Sequence, residues 1–160
     1  MSAGDAERLL ERLLERGWSI GVAESLTGGL VVASLVSIPG ASASVRGGVV
    51  AYATALKTSL LDVDPALLAA HGAVHPEVAR QMADGIRRAA AIDGRQADVG
   101  LSTTGIAGPD SPDGQPVGTV FIGISTPEGT HVEALRLEGD RAQIRAETVR
   151  RALVAAREAL

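Results

Sequence analysis

Two side chains that together could cleave an acyl bond sit on separate segments: Ser25 in "VAESLTGGL" and Lys57 in "YATALK". A serine hydroxyl is a weak nucleophile until a base takes its proton, and a lysine whose pKa is lowered by desolvation can be that base where no histidine is at hand. Tyr52, the only tyrosine, precedes the lysine by five positions and could relay a proton or hold the amine in place. Each residue also has a plain structural reading. Ser25 fits a helix cap, Lys57 a solvated surface and Tyr52 a ring that covers the end of a strand.

Two further segments carry groups suited to a ligand. "TTGIAGPD" holds Gly105 and Gly108, whose backbone N–H groups would be approachable by a phosphate, a ribose or a developing oxyanion, although "PDSPDG" following it also suits a flexible turn. Arg141 and Arg145 are four apart in the first turns of a predicted helix, where the dipole disfavours cations and like charges repel. Either an anion offsets that cost or the pair is matched by Glu138, Asp140 or Glu147. The histidines do not continue the theme. His71 and His75 in "HGAVH" flank a glycine turn rather than share a helix face, and His131 falls in a predicted hairpin, so no metal site and no cofactor are expected.

The elements that must position these residues follow from periodicity. Leu9, Leu10, Leu13 and Leu14 recur at helical spacing against a charged face that ends at Gly17. "WSIGVA" reads as a buried strand, the run from Gly28 to Ser37 as a helix, "SIPGASASVRG" as a small-residue loop and "GVVAYA" as a second strand. Short helices are expected over "LKTSLLDV" and over "DPALLAAHG", the latter opened by Asp64 and Pro65. His75 and Pro76 start a longer helix with Val78, Met82 and Ile86 on one face. "ADVGLSTTG" is a third strand, and "TVFIGIST" and "THVEALRLE" form a hairpin across "PEG". A last helix begins near Asp140, which has capping-box spacing to Gln143. The expected fold is a three-layer α/β/α sandwich on a mixed, mostly parallel sheet with a late β-hairpin, a single domain over 1–160. In such sheets ligands collect beyond the carboxyl ends of strands, where Glu24 to Gly29, Tyr52 to Lys57 and Ser102 to Asp110 all fall.

Composition narrows the function classes. At 160 residues and 46% hydrophobic content, one well-cored domain is expected. Three aromatic residues and a net charge of −4 argue against a nucleic-acid surface. The absence of cysteine excludes thiol nucleophiles and suits a reducing cytoplasm, and the charged opening residues and lack of a long apolar run point away from a signal peptide or membrane span.

Taken in order, "VAESLTGGL", "RGGVVAYATALK", "LLAAHGAVHPEVARQMA", "TTGIAGPDSPDGQPVGTVFIGI" and "GDRAQIRAETVRRAL" resemble the C-terminal domain of competence/damage-inducible protein A, a family of nicotinamide-nucleotide amidohydrolases. The likeness runs from about Glu7 to Leu160 and suggests a stand-alone version, without a molybdopterin-binding-like domain ahead of it. It implies hydrolysis of nicotinamide mononucleotide to nicotinic acid mononucleotide and ammonia, with Ser25 as nucleophile, Lys57 as base and Tyr52 in support. It implies a substrate site drawn from Glu24, Thr27, Gly28, Gly29, Thr54, Thr104, Gly105, Ala107, Gly108, Arg141 and Arg145, with Arg145 a candidate for the phosphate, and a cytoplasmic homodimer. Two positions depart from the family pattern: Ala53 and Thr54 replace a Ser-Asn pair between the tyrosine and the lysine, and Leu26 stands where a small residue or cysteine is common. The competing readings are a module that binds a phosphorylated nucleotide without cleaving it and an amidase for another small amide.

Overall fold

The computed structural model describes residues 3–112 and 114–160. Strands β1 (Ile20–Glu24), β2 (Val45–Val50), β3 (Val99–Gly105), β4 (Thr119–Thr126) and β5 (Gly129–Arg136) form one sheet in the order β2-β1-β3-β4-β5. β1 lies parallel to both β2 and β3, and β3-β4-β5 run antiparallel, so the sheet is mixed with the parallel strands at one end and the hairpin at the other. Helices α1 (Ala3–Arg16), α2 (Leu30–Val36) and α6 (Arg141–Glu158) cover one face, while α3 (Thr54–Leu61), α4 (Pro65–His71) and α5 (Pro76–Ala89) lie on the other.

The two faces bury different cores. Leu9 and Leu13 of α1, Ile144, Val149 and Leu153 of α6, and Val22, Leu101 and Ile122 of the sheet pack into the larger one. Val78, Met82 and Ile86 of α5 meet Leu61, Val63 and Leu68 in the smaller one. Burial of aliphatic side chains at about 25 cal/mol per Å² supplies the drive for both layers.

Helix starts follow the local chemistry read from the sequence. Asp64 caps α4 by accepting the Ala66 N–H at 2.8 Å, and His75 Nδ1 accepts the Glu77 N–H at 3.1 Å at the head of α5. Asp140 and Gln143 close a reciprocal capping box on α6. Boundaries shift around β2. It ends at Val50, with α3 starting at Thr54 rather than Leu56, and it begins at Val45, inside the stretch expected as loop, because pairing with β1 from Ile20 to Glu24 recruits Val45 to Gly47 into the sheet. Small residues there hide the strand signal, which comes from the neighbouring strand rather than from local propensity.

Candidate active site

β1, β2 and β3 end at the same edge of the sheet, and the three ligand-suited segments leave from those ends. Ser25 follows β1 directly. Its N–H donates to the carbonyl of Thr103 at 3.1 Å, the last bond of the β1–β3 ladder, and the chain then turns through Leu26, Thr27, Gly28 and Gly29 before α2 begins. Gly28 and Gly29 take φ of +58° and +100°, which L side chains rarely adopt, and a Cβ at Gly28 would stand 3.2 Å from Arg145 Nη2. The turn bends through the Gly28 N–H to Ser25 carbonyl bond at 3.1 Å. Among the described residues the N–H groups of Leu26, Thr27 and Gly29 have no partner, so donors remain free on the turn that carries the hydroxyl.

Lys57 enters from α3, on the opposite face from α2, and its side chain is 1% exposed. Nζ lies 3.1 Å from Ser25 Oγ, 2.7 Å from the Ala51 carbonyl and 3.4 Å from the Tyr52 carbonyl. Burial holds the amine well below the ordinary lysine value of 10.5, at about 8, because the charged form is poorly solvated there. As an ammonium it donates to all three neighbours, and loss of its proton lets the bond to Ser25 reverse. A neutral amine has two N–H donors and one lone pair, two of its neighbours are carbonyls that only accept, and the lone pair is left for the Ser25 hydroxyl proton. Hydroxyl and amine, far apart in sequence, thus meet in the arrangement a serine nucleophile and its base require.

The remaining residues divide into those that hold the turn and those that line its rim. Glu24 is fully buried, and its two carboxylate oxygens accept the N–H groups of Val31 at 2.9 Å and Val32 at 3.1 Å. Both oxygens anchor the start of α2. The Thr27 hydroxyl is buried at 2.9 Å from that of Thr103, and the Thr104 hydroxyl donates to the Ala73 carbonyl at 2.8 Å. Gly105 is paired with Val120 at the end of β3, and Ala107 belongs to the larger core.

Tyr52 lies on the rim. It is 62% exposed, and its phenol receives a bond from Arg141 Nη2 at 3.3 Å, whereas only its main-chain carbonyl reaches Lys57. Arg141 Nη1 also donates to the Gly108 carbonyl at 2.7 Å, so this arginine ties the β3–β4 loop to Tyr52 across the mouth of the site. Arg145 is laced to the turn after Ser25: Nε donates to the Leu26 carbonyl at 2.8 Å, and Nη2 lies 3.5 Å from the Thr27 carbonyl. The peptide unit is planar, so holding the Leu26 carbonyl toward Arg145 aims the Thr27 N–H the opposite way. Neither arginine has a carboxylate partner among the described residues: Glu147 pairs with Arg150 at 2.6 Å and Asp140 is engaged in the α6 cap. Thr54 begins α3 on the exposed rim.

Sequence reasoning missed Thr103 and Ala51. Thr103 is one of three successive hydroxyls, Ser102 to Thr104, in an otherwise apolar strand with both faces covered, a signal that was present in the chain. Ala51 contributes only a carbonyl, which no side-chain pattern announces. A groove of about 870 Å³ between α2 and α6 is lined by Leu30, Gln143, Glu147 and Arg150 and contains neither Ser25 nor Lys57.

A three-layer α/β/α chain with a serine on a strand-to-helix turn and a buried lysine against it defines a class that can carry out nucleophilic acyl chemistry. The CinA C-terminal domain model matches residues 3–160, and the chain belongs to that family. It is 48% identical over 145 residues to a CinA-like protein of Frankia casuarinae, covering 91% of this chain and 32% of that protein. A CinA-like protein of Anaeromyxobacter dehalogenans is 46% identical over 154 residues, covering 95% of this chain and 36% of the relative. The chain therefore spans about a third of the length of the curated relatives it matches. The crystal structure of a competence-damaged protein (CinA) superfamily protein from Klebsiella pneumoniae superposes with a TM-score of 0.92 at 31% identity, over 99% of this chain and 96% of that one. The competence/damage inducible protein CihA from Agrobacterium tumefaciens gives 0.88 at 33%, over 98% and 94%. Among the described residues no helix is long and apolar enough to cross a membrane.

Proposed function

We propose that the chain is a nicotinamide mononucleotide deamidase that hydrolyses the carboxamide to nicotinic acid mononucleotide and ammonia. The reading rests on one observation: Lys57 Nζ, buried and held near pKa 8, lies 3.1 Å from Ser25 Oγ. Neutral Lys57 takes the hydroxyl proton as Ser25 Oγ attacks the carboxamide carbon. Charge developing on the carboxamide oxygen meets the free N–H groups of the Leu26 to Gly29 turn, where each well-placed donor is worth roughly 3 kcal/mol by comparison with measured oxyanion holes. The carbon–nitrogen bond breaks as the Lys57 ammonium returns its proton to the departing amine, which leaves as ammonia. Water, deprotonated by the now neutral Lys57, attacks the serine ester, and the ester C–O bond breaks as Lys57 returns that proton to Ser25 Oγ, releasing the acid product. Every step uses groups of this chain and water.

The phosphorylated end of the substrate is assigned to Arg141 and Arg145, which lack carboxylate partners among the described residues and flank the turn. Arg145 uses Nε and Nη2 on the turn and retains Nη1 for an anion. A homodimer is part of the reading, supported by the open edge of β2 and by exposed Val50 on it, and light scattering after size exclusion tests it.

The direct test is ammonia release from nicotinamide mononucleotide, run beside Ser25→Ala and beside nicotinamide riboside and nicotinamide. Wild-type turnover of the mononucleotide with none from Ser25→Ala is expected. Saturable binding with no acid product would replace the reading with that of a binding module, and preference for an unphosphorylated amide would redirect the specificity.

A further inference from the structure

We propose that Thr103 is a positioning residue for the nucleophile, holding Ser25 in its attacking geometry through a buried hydroxyl link to Thr27. The inference rests on the reading of Ser25 as nucleophile and adds to it a residue that acts through the serine. Thr103 is fully buried on β3, the central strand, with β1 on one side and β4, through Ile122, on the other. It grips the turn twice. Its carbonyl accepts the Ser25 N–H at 3.1 Å, with its Oγ1 3.3 Å from the same nitrogen, and that Oγ1 lies 2.9 Å from Thr27 Oγ1. Ser25 to Thr27 is thereby closed into a short loop whose two ends are tied to one residue in the middle of the sheet.

The carbonyl bond is part of the strand ladder and survives any side-chain change. The hydroxyl link does not. Replacing Thr103 by the isosteric valine leaves the Thr27 hydroxyl without a partner in a fully buried position, and a buried polar group so placed turns away or draws in water. The turn then loses its second anchor. Because a misplacement of about 1 Å at a reacting centre can cost about 100-fold in rate, a loosened Ser25 slows attack without altering how the substrate is held.

The test reads the serine directly. A fluorophosphonate probe labels an activated serine whatever the natural substrate is, so its second-order rate is measured for the wild type, Thr103→Val, Thr103→Ser and Thr27→Val, with labelling mapped to Ser25 by peptide mass. Thr103→Val is expected to label about tenfold more slowly, Thr103→Ser within about twofold of the wild type, and Thr27→Val as slowly as Thr103→Val. The double valine variant is expected to be no slower than either single one, as a shared contact requires. The pH midpoint of labelling is expected to stay where the wild type has it, since Thr103 does not touch Lys57, and in steady state kcat falls while KM holds. Wild-type labelling rates in both valine variants would overturn the proposal, as would Thr103→Ser matching the valine rate. Should Thr103→Val not fold, Thr27→Val breaks the same link from the turn and decides alone. A wild type that leaves Ser25 unlabelled would instead remove the nucleophile reading, and the proposal with it.

Discussion

The corner that holds Ser25 and Lys57 and the rim that holds Tyr52, Thr54 and Arg141 lie beside each other and are built on opposite principles. In the corner, Ser25 is 8% and Lys57 1% exposed, and the turn is tied to Thr103, to Arg145 and, through Glu24, to the start of α2. On the rim, Tyr52 is 62% exposed and is joined to the β3–β4 loop through the long guanidinium of Arg141. Chemistry needs a hydroxyl and an amine held dry and fixed, because desolvation lowers the amine pKa and geometry sets the rate. Recognition can be left to side chains that reach from solvent. If the division is right, substitutions in the corner reduce kcat and those on the rim act on KM.

The largest expected effect is at the base. Lys57→Met should lower kcat by about 100- to 10,000-fold, the range measured for general bases. In the wild type, kcat/KM should rise about tenfold per pH unit and level off near pH 8, as the amine loses its proton, and the residual activity of the methionine variant should lack that limb. Stability gives an independent reading. The folded value near 8 lies below the unfolded 10.5, so between those limits the folded chain binds fewer protons and wild-type stability rises with pH, by about 3 kcal/mol across the window at most. Lys57→Met should therefore gain most over the wild type below pH 8 and lose that advantage toward pH 10 in thermal melts. A variant with ordinary activity would break the comparison at its centre.

The corner and rim were not equally legible in the chain. Alternating and helical periodicities place Val22, Leu101 and Ile122 in the sheet and Met82 and Ile86 on α5, because core burial acts on every such residue alike. The meeting of Ser25 with Lys57 was readable only as an expectation: both leave the carboxyl ends of adjacent parallel strands, and topology, not spacing, brings them together. The bonds of Glu24 were not legible, because sequence position says nothing about where a carboxylate turns. Its two oxygens meet N–H groups seven and eight residues ahead, a bond set by the position of α2. The partners of Thr27 and Thr104 were hidden for a related reason. A hydroxyl at a strand end serves a ligand or a neighbouring strand equally well, and only the packed partner decides.

An intermediate effect is expected at Arg141. Removing its side chain frees Tyr52 and the Gly108 carbonyl, both on the rim, and withdraws one cation from the proposed phosphate position. Arg141→Ala should raise KM for the mononucleotide about tenfold, a charged hydrogen bond being worth about 1.5–3 kcal/mol when well formed, with kcat within about twofold. The same variant should leave turnover of nicotinamide riboside nearly unchanged. A fall in kcat with KM held would move Arg141 from the rim into the corner.

The smallest effect, and the most discriminating, is at Tyr52. Two different atoms of this residue face the two regions: the main-chain carbonyl lies 3.4 Å from Lys57 Nζ, and the phenol, mostly in solvent, meets Arg141 at 3.3 Å. Tyr52→Phe removes only the second, so a rim role predicts kcat within about twofold and a small rise in KM, because an exposed hydrogen bond contributes about 1 kcal/mol or less. A proton-relay role predicts a loss of about 100-fold or more in kcat, the scale of general acid–base catalysis. Steady-state kinetics on this one variant therefore separates the two assignments without disturbing the amine. A large loss would mean that the phenol swings inward during turnover, which would make the rim part of the chemistry and leave the fixed corner incomplete until substrate arrives.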